Sequence, residues 1–158
     1  MIDFYQVFHF LLFSVIAGLV GTVGMTLVLN GITRTGITNA KMVEAVGSLF
    51  TKSRESAGRV GSILHIVSGV TFGILYTLIM IAPKEGLSPG MVVGFGIILG
   101  LIHGLMVCFF LVAMIAETHP LEEFRSAGFA VGLAHLVSHI IYGLLVGAVI
   151  AASGIASP

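Results

Sequence analysis

Four long apolar stretches separated by short polar ones dominate the chain, at about 7–29, 60–82, 90–116 and 127–152. At about 1.5 Å per residue, each is long enough to cross a hydrocarbon core of about 30 Å as an α-helix. The first is too long and too rich in glycine for a signal-peptide core and has no basic segment ahead of it, so it reads as a retained helix. Between the first two, over about 38–54, Met42, Val43, Val46, Leu49 and Phe50 share one helical face, with Lys41, Glu44, Lys52 and Arg54 elsewhere. That pattern predicts an amphipathic helix on the membrane surface, capped by Thr38 or Asn39. The 158 residues are therefore expected to form one transmembrane domain, an all-α antiparallel four-helix bundle with one interfacial amphipathic helix. Up-down-up-down order follows if helices joined by short connections are neighbours.

Composition sharpens this picture. The chain is 57% apolar and 9% charged, against about 25% charged residues in a soluble domain. Its seven basic and seven acidic residues cancel, which leaves no field to attract nucleic acid. Arg34, Lys41, Lys52, Arg54, Arg59 and Arg125 fall on one side of the predicted bundle and Lys84 on the other. The positive-inside rule then puts both termini outside the cytoplasm. Cys108 is the single cysteine, so an internal disulfide, a CxxC pair and a c-type haem motif are excluded, and it reads as a small buried hydrophobe.

The chemistry lies in histidines inside the spans. Gly132, His135, His139, Gly143 and Gly147 share one face of the last span; Gly61, His65, Gly69, Gly73 and Tyr76 share one of the second; Gly96, Gly100, His103 and Gly104 share one of the third. A polar side chain facing lipid is costly, so these faces should point into the bundle or a partner. A shift of 74 positions superposes Gly58 on Gly132, His65 on His139, Gly69 on Gly143 and Gly73 on Gly147, as in a parallel repeat about an axis along the membrane normal. Two imidazoles at matching depth, flanked by small residues, are what haem b requires. His65 and His139, with Gly69 and Gly143 beside them, are the first candidates; His103 and His135 form a second pair or orient the first.

Other readings use the same residues. The imidazoles could instead be neutral and bonded across helices to Ser62, Ser68, Ser138, Thr71 or a backbone carbonyl, with the glycines serving close packing. Gly18, Gly21 and Gly24, with Thr22 and Thr26, form a smooth strip of this packing kind on the first span, where His9 reads as an interfacial residue. Copper is the second choice of bound group, at His103, Met106, Cys108 and Met114, and a histidine-lined proton or metal conduit is a further alternative. Glu117, His119, Glu122 and Glu123 suit either a hard divalent metal or the start of a helix at Pro120 capped by Thr118 or His119. No nucleophile–base arrangement or phosphate loop is present, so catalysis by the isolated chain is not expected.

The segment from Ala17 to Thr26, the amphipathic connector, the span with Leu64-His65, Gly69 and Gly73, and the run from His139 to Gly147 together resemble small four-span bacterial membrane proteins of the domain-of-unknown-function type. The resemblance implies the architecture and a bacterial inner-membrane location, and carries over no site residues. The expected role is a subunit of a larger electron-transfer complex in the lipid bilayer, beside other membrane subunits or further copies of itself, with haem b between His65 and His139.

Overall fold

The computed structural model describes residues 3–83, 85–110, 116–125 and 128–156. Among these the chain is all helix and turn: α1 Phe4–Arg34, α2 Met42–Thr51, α3 Arg54–Ile81, α4 Pro89–Phe110, a single turn α5 at Ala116–Thr118, a 3-10 turn at Glu122–Phe124, and α6 Phe129–Ser153. Helices α1, α3, α4 and α6 are long and apolar enough to cross a membrane. Large apolar side chains on their outer faces, such as Leu27, Ile63 and Phe109, are exposed, as expected where lipid rather than water is the solvent.

The helices end where local chemistry stops them. Ser53 begins α3 by accepting the Glu55 N–H at 3.3 Å. Lys52 closes α2 in the left-handed region at φ 51°, with its N–H on the Ser48 carbonyl. Gly154 ends α6 at φ 71°. The N-cap of α2 is Lys41 rather than Thr38 or Asn39; the preceding Ala40 N–H is held by Thr33 Oγ1 at 3.0 Å, which anchors the turn to the end of α1. Residues 111–115, in the last part of the predicted third span, lie outside the described residues.

Sequence order does not set the packing order. Helix α1 packs against both α3 and α6, and α4 packs along α6, whereas α3 touches α4 and α6 only sparsely. The short link from Ala82 to Ser88 therefore joins two helices that barely meet, which corrects the inference that short connections force adjacent packing. The reason is in the glycines. A Cβ at Gly73 would lie 2.6 Å from the Gly18 Cα, and one at Gly143 would lie 2.9 Å from the Gly100 Cα. Backbones approach this closely only where side chains are absent, and these positions select the α1–α3 and α4–α6 pairs.

The two pairs are related by the same 74-residue shift. Gly69 meets Thr22 across α1–α3, and its counterpart Gly143 meets Gly96 across α4–α6. Gly73 meets Gly18, and its counterpart Gly147 meets Val92. The repeat is thus a repeat of helix pairs with matching register, and it predicts that α1–α6 and α3–α4 should be equivalent contacts. They are not. Gly21 packs on the Tyr142 ring and Val146 to close α1–α6, while α3 and α4 stay apart and leave a cleft.

Among the described residues, helix α2 has no equivalent in the second half. It packs against α3, with Gly47 against the Ala57 carbonyl and Gly61 against the Val43 carbonyl. Its apolar face is amphipathic as predicted, but Met42, Val43 and Val46 are directed over the cleft and Phe50 remains exposed. At the opposite end of the bundle, the Leu87 N–H donates to the Ala156 carbonyl at 2.7 Å and ties the α3–α4 link to the end of α6.

Candidate functional site

The α3–α4 cleft encloses about 220 Å³ and is lined by His65, His103 and His139, with Ser68, Phe72 and Val46 among its walls. Three of the four predicted imidazoles, one from each of α3, α4 and α6, are thereby brought to one place. Each is held differently. Thr26 Oγ1 donates to the Thr22 carbonyl at 2.7 Å, so its oxygen accepts the Nε2–H of His65 at 2.9 Å. The proton on Nε2 leaves the His65 Nδ1 as the basic nitrogen.

His139 has the opposite tautomer. Its Nδ1–H donates to the His135 carbonyl at 2.7 Å, which places the lone pair on Nε2. The 74-residue repeat explains why no hydroxyl meets that nitrogen: the position equivalent to Thr26 is Gly100, which packs against the His139 carbonyl. A histidine whose Nδ1–H is secured by a backbone carbonyl and whose Nε2 is free has the usual arrangement of a metal-ligating imidazole. His103 lies beside it, with ring centroids 4.6 Å apart and nearly perpendicular. The His103 ring also stacks on Phe72 at 4.0 Å, and its Nδ1 is hydrogen-bonded to the Tyr76 hydroxyl at 3.2 Å.

His135 is buried and turned away from this cleft. Its Nδ1–H donates to the Val131 carbonyl at 2.8 Å, its Nε2 has no hydrogen-bond partner, and the residue lines a second cavity beneath α2. His103 and His139 are too close for a macrocycle to pass between their rings, and His135 does not face His103 across the same cleft.

The other sequence candidates are placed plainly. Gly143 belongs to the α4–α6 contact, and the Cβ position of Gly69 is filled by Thr22, so both glycines serve helix packing. Ser62, Thr71 and Ser138 donate to carbonyls one turn earlier on their own helices; the hydroxyls that reach an imidazole across helices are those of Tyr76, on His103, and Thr26, on His65, the latter read from the sequence only as part of a smooth strip. Met106 is 67% exposed while His103 faces the cleft, and Met114 lies outside the described residues. Among the described residues, no group of three or more His, Cys, Asp or Glu side chains could hold a metal ion.

No α-helix begins at Pro120, and His119 does not cap one. It is fully buried: its Nε2–H donates to the Ala45 carbonyl of α2 at 3.0 Å, and its Nδ1 accepts the Leu121 N–H at 3.1 Å. Both ring nitrogens are therefore committed to the fold. Nearby, Glu123 pairs with Arg54 at 3.2 Å, and the Arg125 Nε–H donates to the His119 carbonyl at 2.7 Å.

Tyr142 was also absent from the sequence candidates. Its hydroxyl donates to the Gly69 carbonyl at 2.6 Å and links α6 to α3 above the cleft. Tyr142→Phe is expected to cost about 0.6 kcal/mol, the usual worth of such a bond in a membrane, measured as a lower unfolding midpoint in detergent without loss of helix by circular dichroism.

The sequence model of a family of unknown function, DUF6789, matches residues 9–155, so the chain belongs to that family. No curated protein and no solved structure matches it.

Proposed function

We propose that this DUF6789 chain is a small integral membrane subunit of an electron-transfer complex of the bacterial inner membrane, holding haem b on His139. The observation that supports the reading is His139 itself: an imidazole at membrane depth, with its Nδ1–H anchored to the backbone and so its Nε2 left as acceptor, in a residue that lines the cleft together with two further histidines. His65 is the candidate second ligand, once its Nε2 leaves Thr26. Bound haem would supply one-electron chemistry. The chain's own part is to fix the His139 tautomer, to exclude water with Met42 and Val46 of α2, and to set the ring against His103. The cleft of about 220 Å³ is smaller than the roughly 300–1,000 Å³ typical of ligand pockets, so a macrocycle requires α3 and α4 to part. The bundle allows this because that contact is sparse.

Orientation is part of the proposal. Helix α2 and the start of α3 meet the α4–α6 connector at one end through the His119–Ala45 bond and the Arg54–Glu123 pair. Arg34, Lys41, Lys52, Arg59 and Arg125 belong to the same end, which the positive-inside rule assigns to the cytoplasm.

A reading without cofactor is favoured by Gly18, Gly69, Gly73, Gly96, Gly100 and Gly143, each of which serves close packing against a neighbouring helix. One spectrum separates the two. Protein purified from haem-replete cells is expected to show a Soret band that shifts on dithionite reduction and is lost in His139→Ala. A wild-type spectrum without that band would leave the structural subunit as the reading. Thr26→Val, which deprives the His65 Nε2 of its acceptor, is expected to strengthen the six-coordinate spectrum if His65 is the second ligand.

A further inference from the structure

Beneath α2 lies a second and larger cavity, about 480 Å³, walled by Ala45 and Leu49 of α2, Phe110 of α4, Phe124 of the connector, and Val131 and His135 of α6. Its volume falls within the roughly 300–1,000 Å³ range of small-molecule sites, and the named walls are apolar apart from His135. The charged residues on its boundary, Lys41 and Glu123, are exposed, and Glu123 is paired with Arg54. His135 is 2% exposed. Because its Nδ1–H is on the Val131 carbonyl, the partnerless Nε2 is a pure acceptor. A buried acceptor without a donor is costly, and the polar side chains Thr38 and Asn39 that also border the cavity do not reach this nitrogen.

We infer that this cavity binds a membrane-soluble lipophile bearing a phenolic or quinol hydroxyl, whose O–H donates to His135 Nε2 while its apolar body lies against Leu49, Phe110 and Phe124. The occupant must bring a donor, since Nε2 can only accept. It must be apolar over most of its surface, since the walls are. A lipophile can reach the cavity from the membrane, because the roof is an amphipathic helix at the end of the bundle. The proposal concerns binding alone and does not depend on a prosthetic group in the α3–α4 cleft.

The test uses the full chain in detergent micelles, with para-heptylphenol and its methyl ether as probes. The ether keeps the body and removes the donor. The phenol is expected to bind about 10-fold more tightly than the ether, the scale of one hydrogen bond to a buried acceptor. In His135→Leu that preference should vanish. Ala45→Phe, which fills the cavity from α2 and leaves His135 intact, should weaken both probes. Equal affinity of phenol and ether for the wild type would overturn the inference, as would a phenol preference that survives in His135→Leu. Zinc titrated alone is the metal control: stabilisation that depends on His135, without any phenol preference, would assign the nitrogen to a metal and overturn the inference too. If His135→Leu fails to fold, the phenol–ether comparison in the wild type and Ala45→Phe decides the matter. A missing Soret band bears on His139 and leaves this result untouched.

Discussion

Gly143→Leu is expected to separate α4 from α6 and to lower stability by about 3 kcal/mol, the upper part of the usual range for overpacking a filled interior. Even the first carbon of the new side chain would meet the Gly96 carbonyl and lie within 2.9 Å of the Gly100 Cα and 3.0 Å of its nitrogen. These are backbone atoms of a helix, which cannot rotate aside as a side chain can. Gly143→Ala should already cost about 1–3 kcal/mol. The measurement is thermal unfolding in detergent, scored by recovery of monodisperse protein on size exclusion. A drop of roughly 10 °C is expected for the leucine variant. Gly58→Ala, where nothing lies near the added carbon, is the control. Equal midpoints for Gly143→Leu and wild type would mean that the α4–α6 contact is not as described.

His119→Ala is expected to release α2 from the α4–α6 connector. The change deletes a fully buried ring and leaves the Leu121 N–H without its acceptor. Lost packing and one stranded donor together amount to about 3 kcal/mol. Part of the effect is local, so limited trypsinolysis should read it sooner than global unfolding: cleavage after Lys41 and Lys52, at the two ends of α2, is expected to accelerate about 10-fold or more. His119→Phe retains the ring volume and loses both hydrogen bonds, and should fall between the alanine variant and wild type. Unchanged protection of both lysines in His119→Ala would show that the Ala45–His119 bond does not hold α2 in place.

The spans were legible because hydropathy alone defines them: an apolar run in lipid has no choice but to form helix. The repeat was legible too, but its meaning was not. Residues 74 apart matched without showing that Gly69 and Gly143 occupy equivalent seats in two helix pairs. Glycine beside histidine fits both close packing and a ring slot, and only the position of the opposing backbone distinguishes them. The partner of His65 was not legible because Thr26 sits 39 residues earlier, in a strip of small residues whose hydroxyls fit bonding to their own helix as well as bonding across helices. His119 was misread as a capping residue because a connector gives no periodic sign of burial; its ring is buried by α2, 74 residues away at Ala45.

The opening between α3 and α4 is where these threads meet. Chain connectivity predicts contact there and the pseudo-symmetry predicts contact there, yet the contact is sparse and histidines line the space. The two cavities are neighbours that share Met42, Val46 and Val107 as a partition, so one helix, α2, borders both.

The pairing of α4 with α6 also sets a schedule for biogenesis. A chain is made from its N-terminus, so α1 and α3 can zip together, with α2 over them, while the rest is still being synthesised. Helix α4 then enters the bilayer with little to hold beside it, since its extensive partner, α6, emerges after it. Until α6 arrives, the glycine face of α4 at Gly96, Gly100 and Gly104 is bare, and this interval is when a chaperone, an insertase or a wrong neighbour has its chance.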